Sequence, residues 1–249
     1  HLHAQAMLLS GEPLVRLKDL FADIRREAGN LGLSRIDAAL AKHQQATQTL
    51  MGLGSDSYRL DGTIIKEDEY LSQLEASGDT LSLGGWYVVA SLPAFHMAMP
   101  EVVVEHTKRG RALRSSLAFF HDQLSRLFMG AASAFRAGES ALGAELLSHL
   151  RRVSKDVPET NRHRYLIALA ERSLHRGNSR PARRRLRTAL QRALDLDYVH
   201  DAAYAADRLG DIDADVGSWH LAESLYRRWG AHHAVNRVRK KLGLAPAPL

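Results

Sequence analysis

The stretch Arg208–Ala231, RLGDIDADVGSWHLAESLYRRWGA, joins three aspartates at alternate positions to a run of Trp, Leu, Ala and Tyr at helical spacing. A calcium loop takes carboxylates at positions one, three and five, a glycine at six and a bidentate glutamate at twelve. Asp211, Asp213 and Asp215 meet the first requirement, but Val216 and Ala222 occupy the other two places, and Gly217 and Glu223 each come one residue late. A one-residue slip turns the glutamate away from the ion, so the cage does not close. The competing reading makes Gly210 a turn and sets the aspartates at the entrance of the next helix. There, carboxylates accept unpaired backbone N–H groups and face the positive end of the helix dipole. The stretch is read as punctuation between two helices.

The same punctuation recurs. Gly177 lies 33 positions before Gly210, and at that offset Ala170 meets Ala203, Leu186 meets Trp219, Ala189 meets Ala222 and Ala193 meets Tyr226. Gly138 precedes Gly177 by 39 positions, a looser copy. A period near 34, with small residues where two helices touch and bulky ones filling the next groove, is the signature of tetratricopeptide (TPR) helix hairpins. One hairpin cannot bury its apolar stripe alone, so stacked neighbours share a core. The fold expected is all-α, a right-handed superhelical solenoid of antiparallel hairpins, TPR-like, in a single domain over 1–249.

Periodicity and breaks predict helices over 2–9, 13–28, 33–52, 67–77, 80–97, 100–113, 116–136, 139–153, 159–176, 179–195, 198–208, 213–229 and 231–242. The segment 53–66, LGSDSYRLDGTIIK, carries turn residues without a period and reads as an ordered insertion or a mobile loop. The Pro-containing tail over 243–249 reads as the start of a linker, and the absence of an initial methionine as the mark of a fragment of a longer chain.

Cysteine is absent among 249 residues, which removes disulfides, thiolate zinc sites and cysteine nucleophiles and favours a cytoplasmic setting. No apolar run approaches the ~20 residues of a membrane-spanning helix, so no membrane partner is expected. Thirteen histidines include no His-Glu-x-x-His; His232 and His233 are adjacent and point to different helix faces. Neither a nucleophile elbow nor a phosphate-binding glycine loop is present. The expectation is a protein without catalytic residues, metal or cofactor.

The net charge of +6 is concentrated in RPARRRLRTALQRAL and YRRWGAHHAVNRVRKKLG. On a helix, Arg180, Arg184 and Arg187 share a face opposite Leu186, Ala189, Leu190 and Ala193. A solvated face is the plain reading; an anionic-partner patch on Arg183, Arg184 and Arg187 is the functional one. Nucleic-acid binding through these residues with Arg237, Arg239, Lys240 and Lys241 ranks second, because aromatics are not interleaved as stacking platforms.

Four segments carry a family resemblance: LLSGEPL (Leu8–Leu14), QQATQTLMGL (Gln44–Leu53), GGWYVVASLPAFHMA with Trp86 and Tyr87, and AESLYRRWGA ending in Trp229, Gly230 and Ala231. In this order they resemble the TPR-like helical module of large bacterial signalling proteins that follows a STAND/AAA-type ATPase, in proteins combining serine/threonine kinase, ATPase and sensor histidine kinase parts and in related LuxR-type regulators. The chain departs from the family at MAMPEVV, where Pro100 must make the break and start the next helix.

The resemblance implies a non-catalytic sensor that holds a protein, peptide or small ligand on a concave surface and relays it to attached ATPase or kinase domains. Large or charged residues on the first helix of each pair are the candidate contacts: Trp86, Tyr87, Arg126, Arg164, Tyr165, Tyr198, His200 and Tyr204. Of these, Trp86, Tyr165 and Tyr204 are read first as inter-helix core; elsewhere Phe119, Phe120, Trp219, Tyr226 and Trp229 are read as packing. An uncovered apolar end of such a stack would also favour self-association.

Overall fold

The computed structural model describes residues 2–113 and 120–248, and these form thirteen α-helices with no strand among them. They are α1 (Leu2–Ser10), α2 (Leu14–Asn30), α3 (Ser34–Leu50), α4 (Glu67–Ser77), α5 (Thr80–His96), α6 (Pro100–Ala112), α7 (Phe120–Arg136), α8 (Ser140–Asp156), α9 (Pro158–His175), α10 (Ser179–Asp195), α11 (Val199–Asp213), α12 (Val216–Trp229) and α13 (His232–Lys241). The helix expected over 116–136 is described from Phe120 onward; its first four residues, with Phe119 expected in packing, lie outside the described set, as does the side chain of Phe120. No helix among the described residues is long and apolar enough to cross a membrane.

Consecutive helices pack on one another, α3 and α4 excepted, and α3, α5, α7, α9 and α11 also touch one another in succession. The reason is visible in α10, whose buried residues Ala182, Leu186, Ala189 and Ala193 form one stripe. Three alanines in that stripe let α9 and α11 approach closely. By contrast, every residue of α5 from Gly84 to His96 is buried, as expected of a helix enclosed on all sides. Pro100 occupies the first turn of α6, so the break at MAMPEVV is made by Ala98, at φ 61°, and Pro100 together.

The turns inside the hairpins fall at Ala98, Gly138, Gly177 and Ala214, all with positive φ, at intervals of 40, 39 and 37 residues. The 33-residue offset therefore mispairs the last unit. Gly210 is not a turn glycine: α11 continues through it to Asp213, and the left-handed position is Ala214. A glycine is needed at 210 for a different reason, since a Cβ there would sit 2.3 Å from the Trp219 ring.

This shift reassigns the aspartates. Asp215 caps α12, accepting from the backbone N–H of Gly217 (3.1 Å) and Ser218 (3.3 Å). Asp211 and Asp213 instead sit in the last turn of α11, where the helix dipole disfavours carboxylates. Cations compensate: Arg208 and Lys241 reach Asp211, each at 2.6 Å, and Arg183 reaches Asp213. No metal-binding cluster is found among the described residues.

The segment 53–66 is ordered by side chains of α3. The Gln45 carbonyl accepts from the Ile64 N–H at 3.1 Å, and the Thr49 hydroxyl donates to the Arg59 carbonyl at 3.1 Å. Gln45, Thr47 and Thr49 are fully enclosed, which explains a polar helix held in the interior. The Pro-containing tail folds back on α13, where the Asn236 carbonyl accepts from the Ala247 N–H at 2.7 Å.

Candidate functional site

At the start of α9, His163 and Arg164 project towards the start of α11, where His200 and Asp201 meet them. Asp201 Oδ2 accepts from Arg164 Nε at 2.7 Å and lies 2.8 Å from His163 Nε2. Arg164 Nη2 donates to the Leu9 carbonyl at 2.5 Å, a contact across 155 residues that ties α1 to the stack. The guanidinium also lies over the rings of Phe128 (5.6 Å) and Tyr198 (5.1 Å), so its flat faces are covered as well as its edges.

A histidine and aromatic layer continues this cluster. The rings of His96 and Trp229 are 4.8 Å apart, and those of His200 and Trp229 5.3 Å. His96 Nδ1 lies 3.3 Å from the Tyr226 hydroxyl, and Arg237 Nε donates to the His96 carbonyl at 3.1 Å. Gly11, at φ 87°, passes so close to His200 that a Cβ would lie 2.3 Å from Nδ1. Gly230 meets Leu14. Three of the four segments that carry the family resemblance thus converge here: the Leu8–Leu14 turn, the end of α5 and the end of α12.

The electrostatics favour one arrangement of protons. Burial, reinforced by the neighbouring His200 and by Arg237, drives His96 well below the ordinary histidine range, and burial brings His200 down to about 4. Both are therefore neutral at pH 7. Burial opposes ionisation of Asp201, but Arg164, His200 and His163 outweigh it and hold the carboxyl well below its usual range. A buried carboxylate paired with a buried guanidinium is the result. The cavity that His96, Ser125, Arg164, His200 and Asp201 line measures only about 10 Å³, the room of about one water, whereas ligand pockets measure ~300 Å³ or more.

A second network runs along the same helices. Arg208 clasps Glu171 with two hydrogen bonds, at 2.6 and 3.0 Å, and the Tyr204 hydroxyl donates to Glu171 at 3.0 Å. Arg237 and Lys241 both neutralise Asp207, each at 2.7 Å.

Of the residues expected on a concave surface, Arg164, Tyr198 and His200 come together in the first network, and Tyr204 adjoins it by stacking on Phe95 at 4.3 Å. Arg164, His200 and Tyr204 are buried, and Tyr198 and Tyr165 are half-buried against the core. Trp86 and Tyr87 lie in a separate cluster around α3 and α5, with Trp86 against Tyr70. Arg126 stands apart from these, half-buried, with its guanidinium pKa lowered by burial and by Arg111. His96, His163 and Asp201 were not singled out in the sequence. Their signal is spacing: Arg164 to Asp201 and Glu171 to Arg208 are both 37 residues apart, the interval of the last hairpin turn.

The basic residues divide sharply. Arg237, Arg239 and Lys241 are consumed by Asp207, Glu223 and Asp211, and Arg227 and Arg228 are also paired. Arg183 is held by Asp213. Arg180, Arg184 and Arg187, by contrast, are exposed on α10 and make no ion pair among the described residues. Comparison with known protein families, with curated proteins and with solved structures gives no match.

Proposed function

We propose that this chain is a non-catalytic, TPR-like binding module of a bacterial signalling or transcription-regulatory protein, which takes a partner on its outer surface and relays occupancy to attached ATPase or kinase domains. The observation that carries this reading is the Arg164 bond to the Leu9 carbonyl. It belongs to a network that fills the space between α1, α5, α9 and α11 with the chain's own side chains. A partner is then met on the outside, and the exposed arginines of α10 are the strongest unbalanced feature there. A rigid stack suits relay, because neighbouring hairpins share one core and a load on one is felt by the next.

Hydrogen exchange with and without heparin, a generic polyanion, tests the reading. Slower exchange over α8–α10, with α1 and the start of α11 equally protected in both states, is the expected result. Protection that changes at α1 and α11 but not over α8–α10 would place the partner inside the stack and overturn it.

A further inference from the structure

The chain's charge excess has one address. Between Ser140 and Leu196 there are 13 Lys and Arg against 5 Asp and Glu, whereas the rest of the chain holds 21 against 23. Folding sharpens the contrast. Among the described residues, Arg164 and Arg183 are the two of those 13 that form ion pairs. Two of the five acids, Glu145 and Glu171, are occupied by arginines from other helices, Arg111 and Arg208. Outside the segment, most of the basic residues are paired, as described for α12 and α13.

The unpaired cations crowd one another. Arg172 is pushed below the usual arginine range by burial and by Arg176, Arg185 and Arg151, so side chains of α8, α9 and α10 share one field. Arg180, Arg184 and Arg187 extend it along the outward side of α10, over ~10 Å of helix axis. Three packed helices add a width of roughly 20 Å. A surface of this size, on which most of the cations lie beyond ion-pair distance of any acid among the described residues, is suited to a polyanion, not to a point charge.

We infer that the α8–α10 face binds the phosphate backbone of a double-stranded nucleic acid without reading its sequence, an assignment that rests on the outer-surface reading above. Three features select this occupant. The free cations are arginines with the single exception of Lys155, and guanidinium forks match phosphate oxygens in pairs. A folded acidic protein would need apolar anchors at the centre of its footprint, but the exposed large hydrophobics of this segment are Val157 and Leu196, both in interhelix turns. Single strands are bound by stacking bases on aromatic rings, and the segment's only Phe, Tyr or Trp is Tyr165, half-buried against the core. A duplex, with its bases already stacked and about one charge per 1.7 Å of axis, asks only for the cations.

Fluorescence anisotropy with a labelled 24-base-pair duplex, using the full chain, tests this. Binding at 50 mM salt should weaken ~100-fold or more by 200 mM, because each phosphate contact releases counterions. The triple reversals R180E/R184E/R187E and R151E/R152E/R176E should each weaken it at least ~10-fold and flatten the salt slope. These residues are exposed and unpaired, so an unchanged melting temperature checks the fold. K240E, on an unpaired lysine away from the face, should leave binding within about twofold. Equal displacement of the duplex by poly-glutamate at matched charge would overturn the nucleic-acid assignment and leave anionic docking standing, as would tighter binding of the single strand. Binding of neither polymer, or binding indifferent to both triple reversals, would remove the outer-surface reading as well.

Discussion

Arg164 and Asp201 occupy neighbouring odd-numbered helices and meet at 2.7 Å, with both side chains almost fully enclosed. A buried pair of this kind adds little over a well-packed apolar pair, but loss of one partner leaves a charge stranded, at a cost of about 3–5 kcal/mol. Arg164→Ala should therefore lower unfolding stability by about that amount in urea titrations, and Asp201→Asn should also be destabilising. In the double variant the losses should fall well short of additive. Additive losses would mean that the two residues stabilise α9 and α11 separately.

Gly11 decides whether α1 can reach that pair. Its φ of 87° is unfavourable for any side chain, and a Cβ would overlap His200 Nδ1. Gly11→Ala should cost about 1–3 kcal/mol and expose the α1–α2 junction to proteolysis before the rest of the stack. Gly32, also at positive φ but with open space around it, provides the control. Gly32→Ala should carry backbone strain alone, with the α1–α2 junction as resistant as in the parent chain.

The helices were legible in the sequence because each apolar stripe announces itself locally: α4 and α10 begin and end at the predicted residues. The end of α11 was not, since the pair Leu209-Gly210 before an aspartate has the chemistry of a turn. Only the three-dimensional approach of Trp219 explains a glycine inside a helix. The polar site was hidden for a related reason. Arg164 and Asp201 are ordinary helix residues until α9 and α11 lie side by side, and nothing local marks the Leu9 carbonyl as their third partner. Charge was half legible: the sequence located both basic stretches, but only the fold reveals that the acids of α11 and α12 neutralise most of the second and, in the first, take up Arg183 through Asp213 and leave Arg180, Arg184 and Arg187 exposed.

Histidine burial sets the pH dependence. Burial lowers His200 to about 4; burial, with Lys42 adding to it, lowers His43 to about 3; burial, with Arg109, lowers His106 to about 4. Each is neutral when folded and takes up a proton in the unfolded chain below about 6.5. The unfolded state then binds more protons, so stability is complete above that value and falls as pH drops from about 6.5 towards 4, by about 1.4 kcal/mol per pH unit for each such histidine. Melting temperatures measured from pH 7 to 4.5 should fall steeply. His200→Gln should remove about one histidine's share of the slope, and a profile as steep as the parent's would show that His200 is not buried neutral.

Gly210 and Asp215 separate the two roles that the opening stretch combines. In a helix interior, glycine to alanine normally stabilises by about 1 kcal/mol, so a Gly210→Ala variant judged by propensity alone would melt higher. The flat Trp219 ring lies across the position of the new methyl, and its Nε1 is held by Asp211 at 3.2 Å, so it has little freedom to move aside. Overpacking of this kind costs about 1–3 kcal/mol, enough to reverse the sign. Gly210→Ala should melt lower, and combining it with Trp219→Ala should recover the helix-propensity gain relative to Trp219→Ala alone. Asp215→Ala should destabilise through the lost cap, as Asp213→Ala should through the lost Arg183 contact, and calcium should leave both variants and the parent unshifted. A rise in melting temperature on adding calcium to the parent, absent in Asp215→Ala, would restore the metal-loop reading of the three aspartates.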